Sequence, residues 1–393
     1  MSQIKQAGSG NIVGKLIFIT LCLFFAFNFL PIPAKQINNL VYFGCLIPVL
    51  IWGVMNTSRV VAILKSESIL LLFFLVIFVS ALLAGNFSEA KATVYLLMLW
   101  LALVVMNLWR AQAGYWLFFV LAVFSLCAMV TASYRMVRHY IGYGDYLRVQ
   151  LWVNANPNEM ALLVVTAWVG LWEFYLQPKI KNFDSRLNLV GFAVLCSSVA
   201  WAIIVFQSRS ALLGFSAYLG LKVLTDSRRW YLLASLLSIA GLFWLLDLHS
   251  ILMIRGVSHR SEIWIDAWRH LTDVCGLVRG CGNDPYLVAG RFDHPHSAYL
   301  SMLYENGLIA FMFFLMFLVK SFFQGIKYKS RWLYVATIGF GGVLTTTGGI
   351  VHSPEPYWIY FWIPFLLISV ECRWKDINCT MHKHSASGAE VIP

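Results

Sequence analysis

SILLLFFLVIFVSALLAG, residues Ser68 to Gly85, runs for 18 positions without a charge or a proline. At roughly 1.5 Å per residue such a helix nearly spans the ~30 Å hydrocarbon core of a bilayer, with its backbone hydrogen bonds satisfied internally. It has no polar face to turn to water and reads as a membrane span. Similar stretches lie on either side: Leu16 to Leu30, Ile37 to Met55, Thr93 to Leu108, Tyr115 to Ser133, Glu159 to Leu176, Leu189 to Phe206, Ala211 to Leu224, Tyr231 to His249, Ser297 to Val319, Trp332 to Val351 and Tyr357 to Val370. Twelve spans result. Of the 393 residues 60% are hydrophobic and 12% charged, more apolar surface than one soluble core hides. The expected fold is an all-α polytopic membrane protein, a single integral membrane domain over residues 1–393 with no appended soluble domain. The opening MSQIKQAGSGNIVGK and the apolar run after it show no small-residue cleavage site, so the first span is expected to be retained.

An even number of spans puts both termini on one side, and the connections then alternate between the two faces. The face carrying the termini collects 18 of the 29 Lys and Arg residues, which assigns it to the cytoplasm. The net charge of +11 therefore reports orientation before it reports a partner, and nucleic acid is not expected. Residue type is more informative than number. On the cytoplasmic face 11 basic residues are Lys and 7 Arg, whereas nine of the 11 on the outer face are Arg. These nine are Arg135, Arg138 and Arg148 after the fifth span, Arg209 in a very short connection, and Arg255, Arg260, Arg269, Arg279 and Arg291 in the long loop of residues 250–297. A planar guanidinium that never deprotonates suits bidentate binding of phosphate. Solvated or headgroup-facing arginines are the other reading. Arg209 resists it best, because QSRSALLGF leaves almost no loop around a charge at the membrane surface.

The long outer loop gathers the remaining polar chemistry. WIDAWRHL has helical spacing, and Ile263, Trp264, Ala267, Trp268 and Leu271 make an apolar stripe suited to the membrane interface. GLVRGCGNDP is a breaker cluster, either a plain turn or a place where glycines let backbone approach a ligand. In DHPHS, His296 stands just before the tenth span. Free amides and the helix dipole there favour a neutral imidazole, the form a general base requires. In VNANPNEM, Asn154, Asn156, Asn158 and Glu159 suit sugar hydroxyls, but a helix cap at Asn156 or Asn158 is the simpler reading. TTTGGIVHSPEPYW brings His352 and Glu355 to the same face, as a closing segment. Cys22, Cys45, Cys127 and Cys196 fall in spans, Cys372 and Cys379 lie on the cytoplasmic tail, and Cys275 and Cys281 are placed to pair in an oxidising compartment.

Four pieces together resemble the O-antigen ligase family: SRSALLGF around Arg209, HRSEIW around Arg260, GLVRGCG around Arg279 and HPHSAYLSMLYENGL around His296. The resemblance in architecture covers nearly the whole chain, with its long loop after the ninth span. It implies a GT-C-like membrane glycosyltransferase that moves a polysaccharide from undecaprenyl diphosphate to the lipid A core. The site would face the periplasm of a Gram-negative inner membrane. Carried over, Arg209, Arg260 and Arg279 would hold the diphosphate, with Arg291 able to take the part of Arg279, and His296 would be the catalytic histidine. His294, Arg135, Arg138 and Glu305 are further candidate substrate contacts.

The chemistry agrees, because a diphosphate leaves well once its charge is neutralised and the incoming hydroxyl then needs only a base. No metal or other cofactor is expected: Asp293, His294, His296 and His352 offer ligand types, but Pro295 constrains them and no strong carboxylate pair accompanies them. An O-antigen polymerase, which uses the same donor, is the nearest alternative, followed by a protein-directed oligosaccharyltransferase. A lipid-linked glycan transporter fits less well, since transporters place charge near the midplane, whereas here the spans are largely uncharged within, with Glu173 and Asp247 as exceptions near helix ends.

Overall fold

A computed structural model describes residues 8–152, 155–180, 185–226, 259–345 and 348–373, with the single positions 233, 241 and 244. The described residues form helices α1 (Gly8–Phe27), α2 (Ala34–Met55), α3 (Thr57–Ser66), α4 (Ser68–Leu83), α5 (Phe87–Trp109), α6 (Ala113–Tyr143) and α7 (Pro157–Ile180). These are followed by α8 (Ser185–Phe206), α9 (Arg209–Thr225), α10 (Arg260–His270), α11 (Ala298–Lys327), α12 (Trp332–Gly342) and α13 over 356–373. Among the described residues there is no strand, only an isolated bridge between Val288 and Phe292. Helices α2, α5, α6, α7, α8 and α11 are long and apolar enough to cross a membrane, and α3 with α4 adds a seventh as a pair bent by 96°. The bend falls where charge ends. TSRVVAILKS carries Arg59 and Lys65, the following apolar run carries none, and Glu67 between them is buried against Lys320 of α11. The expected span from Tyr231 to His249 lies largely outside the described residues.

Helix α13 is the centre of the bundle: every residue from 357 to 370 is buried. Small residues let its neighbours approach it and one another, as the absence of a hydrophobic drive between helices in lipid requires. A Cβ on Gly339 would lie 2.1 Å from the Tyr360 carbonyl oxygen, and one on Gly214 of α9 would lie 2.5 Å from that of Ile338 in α12.

Two lysines expected to mark the cytoplasmic face do not act as surface charges. Lys222 is 3% exposed and places its Nζ 2.8 and 3.1 Å from the two carboxylate oxygens of Glu173, which also accepts from the Tyr218 hydroxyl at 2.8 Å. Lys320 pairs with Glu67. Both are partners of buried carboxylates, so the charge bias between faces is narrower than the sequence implies. The stripe on α10 also differs from expectation. Ile263, Ala267 and Leu271 turn inward onto Val288, Leu303 and Tyr304, and Ile265 and Trp268 are left exposed. The loop folds back on its own bundle because that buries the stripe without lipid.

Candidate active site

The starts of α7, α9, α10 and α11 lie close to one another and to the segment that runs from Thr345 to Glu355. Only Gln207 and Ser208 separate α8 from α9, and Gln207 makes the reversal with φ 47°. Ser208 caps α9 by accepting from the Ala211 amide at 3.2 Å, so Arg209 and Ser210 form its first turn, where free amides and the helix dipole favour an anion. The Ser210 hydroxyl lies 2.9 Å from that of Thr345. Arg260, the first residue of α10, donates from Nη2 to the Thr345 carbonyl at 3.0 Å. Thr345, past the end of α12, thus ties Arg260 to the helix start that carries Arg209.

His296 faces this region with φ 55°, a left-handed conformation that a non-glycine residue holds only under constraint from its surroundings. Ser297 caps α11 directly after it. The ring of Phe292 stands edge-on to His296 at 4.7 Å between centroids, and that of His294 lies at 4.4 Å. Burial pushes the His296 pKa below its ordinary value, with His294 and Arg260 adding to the effect and Asp293 opposing it. The direction is the expected one, but its main cause is desolvation. His294 donates from Nδ1 to the Asp293 carboxylate, and its Nε2 is buried with no partner among the described residues. From the segment before α13, His352 is pushed below its ordinary value by burial and by His294, and Glu355 is raised by burial. Solvent reaches both side chains, yet protein surrounds them closely enough to disfavour charge.

Glu305 sits where α11 breaks. Gly307 has φ 75° and ψ 178°, and the turn at 277–282 fills the gap. The Cys281 amide donates to the Tyr304 carbonyl at 2.6 Å, Gly282 to Glu305 at 3.0 Å, and Leu308 donates back to Leu277 at 2.9 Å. These bonds replace the ones the helix loses, which is how interrupted helices survive in a membrane. The approach needs glycine on both sides: a Cβ on Gly307 would lie 2.2 Å from the Val278 carbonyl oxygen, and one on Gly280 would lie 2.5 Å from the Gly307 nitrogen. GLVRGCG is therefore a close-approach motif, and its Gly280 makes that approach to this helix. A disulfide between Cys275 and Cys281 closes the turn, with 4.9 Å between their Cα atoms. A Cβ built on Gly349 would lie 3.0 Å from Glu305 Oε2 and 3.4 Å from His352 Nε2, so the closing segment packs directly on the break.

Not every sequence candidate comes together here. Arg279 lines a groove of about 880 Å³ with Leu75, Val79 and Leu83 of α4 and Ile309 of α11, and Arg209, Arg260 and His296 do not line it. Arg291 is exposed on the tight turn that joins Val288 to Phe292. Arg135 donates to the carbonyls of Gln150 and Leu151 at 3.1 and 2.8 Å, and Arg148 to Phe206 and Asn158 at 3.1 and 2.9 Å, so both hold the connection after α6 in place. Arg138 is exposed on α6. Asn156 caps α7 by accepting from the Asn158 amide at 3.0 Å. Among the described residues, the side chains placed to share a metal ion are His270, Cys275, Cys281 and Asp284, whose two cysteines are bonded to each other. Sequence reasoning missed Glu89 of α5. It accepts from Asn306 at 2.6 Å and Asn86 at 3.1 Å beside the break, and its only signal was one acid opening an apolar helix, NFSEAKAT.

No protein-family model matches the chain. Over 258 residues it is 26% identical to a protein named O-antigen ligase from Pseudomonas aeruginosa. The match covers 62% of this chain and spans 62% of the length of that relative.

Proposed function

We propose that the protein is a membrane glycosyltransferase of the O-antigen ligase kind, transferring polysaccharide from undecaprenyl diphosphate to the lipid A core. The observation that carries this reading is the joining of Arg260 to the Arg209 helix start through Thr345, beside a histidine that burial keeps neutral. The distant relative named O-antigen ligase supports it. In this reading the chain has twelve spans and a GT-C-like arrangement. It lies in a Gram-negative inner membrane with both termini in the cytoplasm and the site at the periplasmic face.

The chemistry needs no cofactor. Arg209 and Arg260 hold the diphosphate, with Arg279 and Arg291 as outer contacts, and neutralise the charge that develops as the sugar leaves. Because Thr345 anchors one nitrogen of Arg260, the guanidinium is oriented before substrate arrives, which lowers the reorganisation needed in the transition state. His296 takes the proton of the acceptor hydroxyl as its oxygen bonds to the anomeric carbon and the bond to the lipid diphosphate breaks. Direct displacement inverts the anomeric configuration, and a retained configuration in the product excludes it.

The test is a gel of lipopolysaccharide and lipid-linked glycan from a strain lacking the protein, complemented with wild type or His296→Ala. Bare core together with long chains left on undecaprenyl diphosphate, in both the deletion and the variant, is the expected result. Cores carrying single repeat units instead identify a polymerase.

A further inference from the structure

His296 cannot act twice unless its proton leaves, and the structure places a path beside it. The His294 ring lies 4.4 Å from the His296 ring between centroids, too close for another group to intervene. Its Nδ1 is committed to Asp293, which leaves Nε2 as the acceptor face, and that atom is buried with no partner among the described residues. A buried imidazole nitrogen without a partner is costly unless it serves a transient one. The far end of the path opens to water: the His294 side chain is 22% exposed and that of Asp293 is 84% exposed. The charged and titratable groups acting on the pair are Asp293 on the same segment, Arg260 from α10 and His352 from the closing segment.

We propose that Asp293 and His294 form a proton relay that returns His296 to its neutral form after each transfer. The inference rests on the reading of His296 as the base. The proton taken from the acceptor hydroxyl passes from His296 to Nε2 of His294, giving an imidazolium stabilised by the Asp293 carboxylate. The Nδ1 proton then goes through that carboxylate to water, and exchange with solvent of the proton left on Nε2 for one on Nδ1 restores the starting tautomer and its bond to Asp293. One proton moves from hydroxyl to solvent per sugar transferred, and no residue is left changed. His294 acts through His296, so its role is distinct from substrate binding.

The experiment uses the full-length protein in detergent, with lipid-linked glycan as donor and lipid A core as acceptor. It compares wild type, His294→Gln and Asp293→Asn across pH, with and without added imidazole. Glutamine keeps much of the shape of histidine but cannot carry a proton. We expect kcat for His294→Gln to fall on the order of 10- to 100-fold, within the range for a proton-transfer group, with KM for both substrates unchanged. Its acid limb should move to higher pH, because His294 helps to hold the His296 pKa down, and added imidazole should restore the rate. Asp293→Asn should show a comparable fall, since asparagine still accepts from Nδ1 but cannot take its proton onward. An unchanged rate for His294→Gln overturns the relay alone. So does a loss that is equal at every pH and not recovered by imidazole. Wild-type protein that forms no glycosidic bond overturns the transferase reading and the relay with it.

Discussion

The two ends of helix α9 hold charge in opposite ways. Near one end, Lys222, Glu173 and Tyr218 form a closed group in which both carboxylate oxygens have partners and the lysine also faces the Tyr334 ring at 4.4 Å. About 20 Å away by helical rise, around Arg209, the side chains are left with work to do. His294 Nε2 lacks a partner among the described residues, and two imidazoles stand 4.4 Å apart. Nothing within a bilayer forgives an unpaired charge, so the first arrangement is what stability selects. The second lowers stability and makes sense only if a ligand completes it.

That contrast can be broken most sharply by His296→Ala. It should cut transfer by ~10²- to 10⁴-fold and leave the melting temperature in place, because the side chain supplies chemistry and little packing. In the wild type the lowered His296 pKa keeps the base neutral as pH falls through the ordinary histidine range, so the acid limb of the rate should lie below that range. A limb above it would place the base elsewhere. Lys222→Met should do the reverse. It strands Glu173 in the core at a cost of ~3–5 kcal/mol, read as lost thermal stability in detergent, while the folded fraction keeps its transfer rate.

Smaller effects sharpen the comparison where the ends are less distinct. Gly307→Ala drives a Cβ into the Val278 carbonyl and should destabilise the protein by roughly 2–3 kcal/mol, and it should also slow transfer, because Glu305 and the closing segment pack on that break. Replacing Cys275 and Cys281 together with serine should cost about 2 kcal/mol by the loop-entropy relation, and reductant should then have no further effect. Arg135→Gln should cost ~1 kcal/mol through its two carbonyl contacts and leave KM for the donor unchanged. A raised KM would return Arg135 to the substrate.

Legibility followed the range of the interaction. The apolar helices, the Asn156 cap and the change in character after residue 249 are local, since each depends on a window shorter than two helical turns or on uninterrupted hydrophobicity. His296, Arg209 and Arg260 stood out because charge and imidazole are rare in such a chain. Glu89 was invisible by the same logic: its partner Asn306 lies 217 positions away, and one acid in a first helical turn is ordinary. The orientation count treated Lys222 and Lys320 as surface charges because composition does not reveal that Glu173 and Glu67 meet them.

The chain's own pattern decides that it is a bundle of apolar helices with a polar segment before α11, because lipid leaves a backbone few ways to satisfy itself. It also decides that this segment carries arginine and histidine. Packing alone decides which of those residues meet. Arg260 reaches the Arg209 helix start through Thr345, and Arg279 is drawn away to a groove because its loop fills the gap at Gly307. Such choices depend on contacts a few ångströms long between residues far apart in sequence.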